Sequence, residues 1–232
     1  AAAGNTGPAA MSVGVPGNNP YALTVGAITD NFTPLDWNDD YIPPFSAAGP
    51  TLDGFIKPEV LAPGAHIVST MSKKTTLGKA HPELKVGEDY YSLSGTSQAT
   101  AVVSGLAALV LSKNPTLSPD GVKYRLVMGA VPAVDWLTGV THYSIFQQGA
   151  GRISAPDSVL SDLSGSLTPE MDIWADLTTT NHYQGPAYYD EVTAPFRMRG
   201  LDTLSLSDYT AWDGQYVAYP GGPTAGAGGP TA

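Results

Sequence analysis

The chain contains no cysteine in its 232 residues. Disulfide scaffolding, thiolate nucleophiles and cysteine-ligated metals are therefore excluded, while the redox compartment stays open. Charge is sparse too: 14% of residues are charged, and 21 acids against 11 bases give a formal charge of −10. A surface of that sign repels polyanions, so neither nucleic acid nor an anionic membrane is an expected partner. The balance suits a secreted, soluble enzyme, an expectation that many cytosolic proteins would meet equally. No apolar run reaches the ~18 residues needed to cross a bilayer. The longest, 99–111, is broken by Ser104 and Gly105 and reads as a buried core helix. What the chain does have is 42% apolar residues with 26 glycines and 20 prolines, enough for a core joined by many turns.

Residues 21–28 (YALTVGAI) are short, apolar and β-branched, which predicts a buried strand. An acidic loop follows over 30–41. The stretches 57–64 and 66–69 predict a strand, a turn and a second strand, and the charged stretch 72–89 a surface excursion. A helix opening at Thr96 or Ser97 should stop near Asn114-Pro115, because proline cannot continue it. Ser118-Pro119-Asp120 carries an N-cap serine, a proline at the first helical position and an acid in the first turn, so a second helix is expected through 122–128. Short strands interleaved with helices predict an α/β layered sheet. Beyond residue 163 helical periodicity fades and Tyr and Trp accumulate, and the alternation LDTLSLS at 201–207 predicts a strand. The expected division is a main unit over 1–165, a β-rich extension over 166–220 and a flexible tail over 221–232, where GGPTA occurs twice.

Two short segments bear on chemistry. Ser97 ends Ser94-Gly95-Thr96-Ser97 and opens the apolar helix. A serine raised there has a nucleophile's geometry, because helix-start N–H groups point at any anion that forms. Asn5 sits in the glycine-bracketed turn Gly4-Asn5-Thr6-Gly7, where its amide can be aimed at an oxyanion without crowding. Each has a plainer explanation taken alone, Asn5 as a turn residue and Ser97 as a helix cap.

Taken in order, the blocks resemble the subtilisin-like serine peptidases. Segment 2–7 is similar to the oxyanion-asparagine block. Val13-Gly14-Val15-Pro16-Gly17 with 24–27 is similar to the wall and floor of the S1 pocket, and 94–97 to the nucleophile block. Segments 45–50, 57–64, 67–70 and 148–153 match further family strands and turns. The resemblance covers about residues 1–157. It implies a mostly parallel sheet flanked by helices, of which only the C-terminal part is present here. It also implies an acyl-enzyme on Ser97, with Asn5 and the Ser97 N–H as oxyanion donors. Ala3, Gly4, Val13, Gly14, Gly17 and Thr96 become the substrate-binding candidates, with Gly14 leaving S1 open to large apolar side chains. A cis peptide is expected at Val15-Pro16. No cofactor is required. In this family the catalytic Asp and His precede the asparagine, so the expected partners are an N-terminal part carrying that pair, on a separate chain or missing, and a peptide or protein substrate.

The departures are specific. Gln98 stands where the family has methionine after the nucleophile, and Ala101-Val102 where it has Pro-His. His66, His81, His142 and His182 all follow Asn5, the wrong side for the catalytic base, and read as structural or surface residues. No metal site has a recognised spacing. Asp30, Asp36, Asn38, Asp39 and Asp40 form an oxygen-rich loop that is a candidate for structural Ca²⁺, although an acidic surface loop is the commoner explanation. Trp174, Tyr183, Tyr188, Tyr189, Tyr209, Trp212 and Tyr216 read as β-core aromatics in preference to a binding surface. Two other functions stay in view: a non-catalytic subtilase-like scaffold, against which the intact Ser97 and Asn5 argue, and a binding module built on 166–220.

Overall fold

The computed structural model describes residues 1–37, 39–134, 137, 141–192, 196–199 and 210–212. Strands β1 (Val25–Ile28) and β2 (Val60–Pro63) pair in parallel, with Val25 opposite Val60 and Ile28 opposite Pro63. Parallel bridges continue this pair on both sides, from Ala2 to Val25 and from Leu61 to Arg152. The pair is buried on both faces, as parallel strands must be, and three of the four β2 residues and all of β1 are inaccessible. Strands β3 (Ile67–Thr70) and β4 (Tyr90–Leu93) are antiparallel and bracket the 72–89 excursion, which holds α1 (Thr76–Ala80) and a short 3₁₀ turn (Pro82–Leu84).

Helix α2 (Thr96–Lys113) lies across the parallel pair. Its Ala99, Val103, Leu106 and Val110 pack with Val25, Ala27, Val60 and Ala62 and with Val122 and Leu126 of α3 (Pro119–Met128) in one apolar cluster. It ends at Asn114, before Pro115, as the proline requires. Its other faces carry apolar residues into solvent, with Val102, Leu109 and Leu111 all exposed. Ser118 caps α3, its Oγ accepting from the Gly121 N–H at 3.0 Å. Two short helices, α4 (Ile145–Gln148) and α5 (Ala155–Val159), complete this part. Among the described residues no helix is long and apolar enough to cross a membrane.

The strand expected over 21–28 is confined to its second half. The carbonyls of Pro20 and Ala22 accept from lysine ammonium groups and not from a neighbouring strand. The Val15-Pro16 peptide is cis, as expected. Beyond residue 165 the chain is not purely β: α6 (Ile173–Leu177), capped by Asp172, precedes the antiparallel strands β5 (Ala187–Tyr189), β6 (Phe196–Met198) and β7 (Thr210–Trp212). The core expectation for the aromatics fails at Trp174, which is 76% exposed, because a one-turn helix has too little area to cover an indole. Phe196 does pack inward, edge-on to Phe146 at 6.0 Å between ring centroids. The strand expected at 201–207, the tail, Asn38, Tyr209 and Tyr216 lie outside the described residues.

Polar contacts at three places add to this apolar packing in joining the extension to the rest. Asp120 in the first turn of α3 accepts from the Ser166 hydroxyl, from the Leu167 N–H at 2.9 Å and from the Thr168 hydroxyl at 3.1 Å. Burial opposes ionisation of that carboxyl, but these hydrogen bonds prevail and hold it below its usual range. The Gly185 N–H donates to the Asp53 carbonyl at 2.7 Å, and the Ala187 N–H to the Gly54 carbonyl at 2.9 Å. The third contact is ionic: His182 lies between Asp53 (3.1 Å) and Asp176 (3.0 Å), and Tyr21 donates to the far oxygen of Asp176 at 3.1 Å. The bonds to Asp53 and Asp176 raise the His182 pKa, while burial beside Asp176 pushes Tyr21 up to about 12, so the phenol stays neutral throughout the histidine's range.

A raised folded-state pKa gives stability that is complete below the unfolded value, about 6.5, and is lost as pH rises through the folded value. An NMR titration of the imidazole should therefore place His182 above about 6.5, with Asp53→Asn bringing it back down. A midpoint at or below 6.5 in the unaltered protein would show that the contact does not form.

Candidate active site

The start of α2 is set by the strand end behind it. The Gly95 N–H donates to the Gly64 carbonyl at 2.7 Å, and Ser94 Oγ accepts from the His66 N–H at 2.9 Å, so the turn entering the helix is tied to the end of β2. Ser97 follows in the first turn with its side chain exposed, while Thr96 beside it is 1% accessible. The Asn5 turn is fixed just as firmly. The Ala3 N–H donates to the Val25 carbonyl at 3.0 Å, and the Gly7 N–H to that of Phe45 at 2.9 Å.

The two segments, 91 positions apart in the chain, meet at Thr96. Asn5 Oδ1 accepts from the Thr96 N–H at 2.9 Å and from the Thr96 hydroxyl at 3.0 Å. The same hydroxyl accepts from the Gly4 N–H at 3.1 Å. The amide oxygen is thereby committed to Thr96, which fixes which way round the amide lies. Its Nδ2 stands beside Gly95, 3.1 Å from where a Cβ would be. A side chain at position 95 would press on the amide at this distance, and glycine leaves it room.

Of the other candidates, Ala3 is fully buried against Val13 and Ala47. Gly17 is buried beneath the loop and Gly14 exposed at its rim, where an added methyl would meet nothing within 4 Å. The structure thus brings Asn5, Gly4 and Thr96 into one bonded unit with Ser97 at its edge. Val13, Gly14 and Gly17 lie on the adjoining loop, where the Gly14 N–H donates to the Ala3 carbonyl at 3.4 Å.

Sequence reasoning missed three charged residues beneath this loop. Lys57, 1% accessible, reaches Glu59 Oε1 at 2.5 Å, the Ala22 carbonyl at 2.8 Å and Thr24 Oγ1 at 3.2 Å. Lys123 shares the same Glu59 oxygen at 2.8 Å and donates to the Pro20 carbonyl at 2.8 Å. Burial pushes the Lys57 ammonium down to about 8 in spite of the attraction of Glu59. A glutamate two positions from Lys57 was a visible signal for a partner, since opposite charges that close in sequence can pair.

Other groups are occupied elsewhere. The His66 ring stacks on Phe32 at 4.2 Å and His81 pairs with Glu83 at 3.0 Å. In the acidic loop, Asp39 accepts from Asn31 and Thr33, and Asp40 pairs with Arg152, whose guanidinium also lies 3.9 Å from the Trp37 ring centroid. Among the described residues no three His, Cys, Asp or Glu side chains are arranged to hold a metal ion.

Fold and site together define an α/β protein with a serine at the start of a helix packed on the parallel strands and an asparagine amide held at that helix start. The chain belongs to the subtilase family, whose model (Peptidase_S8) matches residues 1–160. It is 40% identical over 158 residues to the serine protease AprX of Bacillus subtilis, covering 68% of this chain and 34% of that protein. It is 33% identical to pyrolysin of Pyrococcus furiosus over 93% of this chain and 16% of that protein. Subtilisin DY of Bacillus licheniformis is 36% identical over 54% of this chain and 36% of its own length. The chain thus spans about a third or less of these relatives.

Proposed function

We propose that the chain carries the nucleophile and oxyanion portion of a serine endopeptidase. The observation that bears this reading is the double hydrogen bond from Thr96 to Asn5 Oδ1, which fixes the oxygen end of the amide and sets its Nδ2 beside Gly95, at the start of the helix that carries Ser97. In the reaction, Ser97 Oγ attacks the peptide carbonyl carbon. Its proton passes to a histidine, which an aspartate orients, and then to the leaving amine. The negative oxygen of the tetrahedral intermediate is held by Asn5 Nδ2–H and the Ser97 backbone N–H. Water then hydrolyses the acyl-enzyme by the same route reversed.

The histidine and aspartate come from residues outside this chain, as the family order requires. The exposed Val102, Leu109 and Leu111 of α2 support such a neighbour, since several large apolar side chains on one helix are normally covered. Residues 13–17 wall the S1 pocket, and the open space before Gly14 favours large apolar P1 side chains. The acidic composition suits a secreted enzyme.

A fluorophosphonate probe applied to the protein together with the part supplying Asp and His should label Ser97, and Ser97→Ala should abolish both labelling and peptide hydrolysis. Absence of labelling in such a preparation would remove the protease reading.

A further inference from the structure

We infer that the buried triad Lys57–Glu59–Lys123 is a positioning device for the S1 wall, holding residues 17–24 from beneath; this rests on the role proposed above for residues 13–17. Three carbonyls of one short loop accept from buried side chains. The Pro20 carbonyl accepts from Lys123 at 2.8 Å and the Ala22 carbonyl from Lys57 at 2.8 Å and from Lys123 at 3.2 Å. The Gly17 carbonyl accepts from Thr24 Oγ1 at 2.6 Å, and that same oxygen lies 3.2 Å from the Lys57 ammonium. Glu59 closes the arrangement, its Oε1 facing both ammonium groups and its Oε2 accepting from the Thr24 N–H at 2.7 Å.

The chemistry argues for placement over stability. Two ammonium groups share one carboxylate in a nearly dry site, and such a group is seldom more stable than an apolar filling of equal volume. What charged donors supply and apolar residues do not is direction. Lysine stems rooted on two different elements, the approach to β2 and α3, converge on successive carbonyls of one loop and fix its height above the sheet. Gly17 is the point where this support reaches the pocket: it ends the cis-proline turn Val15-Pro16-Gly17 and is bonded to Thr24. The triad is therefore a specificity-positioning element that touches no substrate.

The test uses the active enzyme, comprising this chain with the part that supplies Asp and His, and a peptide series varied only at P1. Lys57→Met removes the central ammonium, and Thr24→Val removes only the hydroxyl link to Gly17. Both variants should raise KM about tenfold for large apolar P1 residues while kcat stays within about twofold and Ser97 labelling persists. Their preference for large over small P1 should shrink accordingly. An unchanged P1 profile, or kcat lowered equally for every P1 residue, would overturn the inference, as would failure of both variants to fold. If the unaltered enzyme does not label at Ser97, it is the protease reading that has failed, and the P1 profile never comes into play.

Discussion

Asn5→Asp should lower kcat by about 10²–10³ or more while leaving the fold intact. The range is that measured for loss of one oxyanion donor from a subtilisin, a relative in this family. The substitution exchanges only the NH₂ of the amide. The remaining oxygen can still accept from the Thr96 N–H and hydroxyl, so the tie between the asparagine turn and α2 survives. What disappears is the amide donor that the proposed mechanism assigns to the oxyanion, and a negative charge takes its place. Asn5→Ala separates the two roles from the other side. It removes the donor and also strands a buried Thr96 N–H, which should cost about 1–3 kcal/mol of stability in addition to the rate. Steady-state kinetics and denaturant midpoints on both variants check the pair of expectations. Equal stability loss in the two would show that the Asn5 oxygen does not serve as the tie.

Gly151→Ala should be among the most damaging single changes, at about 3–5 kcal/mol. Gly151 has φ +107°, a conformation that side chains rarely adopt, and an added Cβ would lie 2.1 Å from the Val131 carbonyl oxygen. The chain crosses itself there. The Gly151 carbonyl accepts from Leu61 of β2 at 2.8 Å, and Arg152 exchanges two bonds with Val131 at 2.8 and 2.9 Å. Backbone on both sides must therefore move before a methyl fits. Gly14→Ala is the matching control: nothing lies within 4 Å of the new atom, and stability should change by under about 0.5 kcal/mol. Urea unfolding with an unchanged m-value would confirm that the difference lies in the folded state.

The elements readable from sequence were those with local stop signals. Pro115 ends α2 and Ser118-Pro119 starts α3, because a ring without an N–H and a hydroxyl cap act within a few residues of themselves. Asn5 and Ser97 were legible for a different reason, since each stands inside a short block of fixed spacing. The triad was not legible. Nothing near Lys123 in the chain announces a carboxylate 64 positions earlier, and a lysine is by default assigned to the surface. The same fact explains the overlong strand assigned to 21–28. Its first half has a strand's composition, but the Ala22 carbonyl is claimed by Lys57 and Lys123, and the Leu23 carbonyl by the amine of Ala1, in place of a strand partner. In the extension the exposure of Trp174 was not legible, for composition reports a residue's affinity for a core and not whether a core is within reach.

The Asn5–Thr96 bond also bears on time. Helix α2 contains its own hydrogen bonds and can form locally, on the microsecond scale of helix formation. Asn5 reaches Thr96 only after the chain has closed a loop of 91 positions, and β1 has found β2 across 35, a long-range closure of the kind that slows folding. Ser97 is consequently placed on a helix before Asn5 is bound to Thr96. On the mechanism proposed above, a half-folded chain of this kind displays a serine without its oxyanion donor, and competence waits on long-range closure.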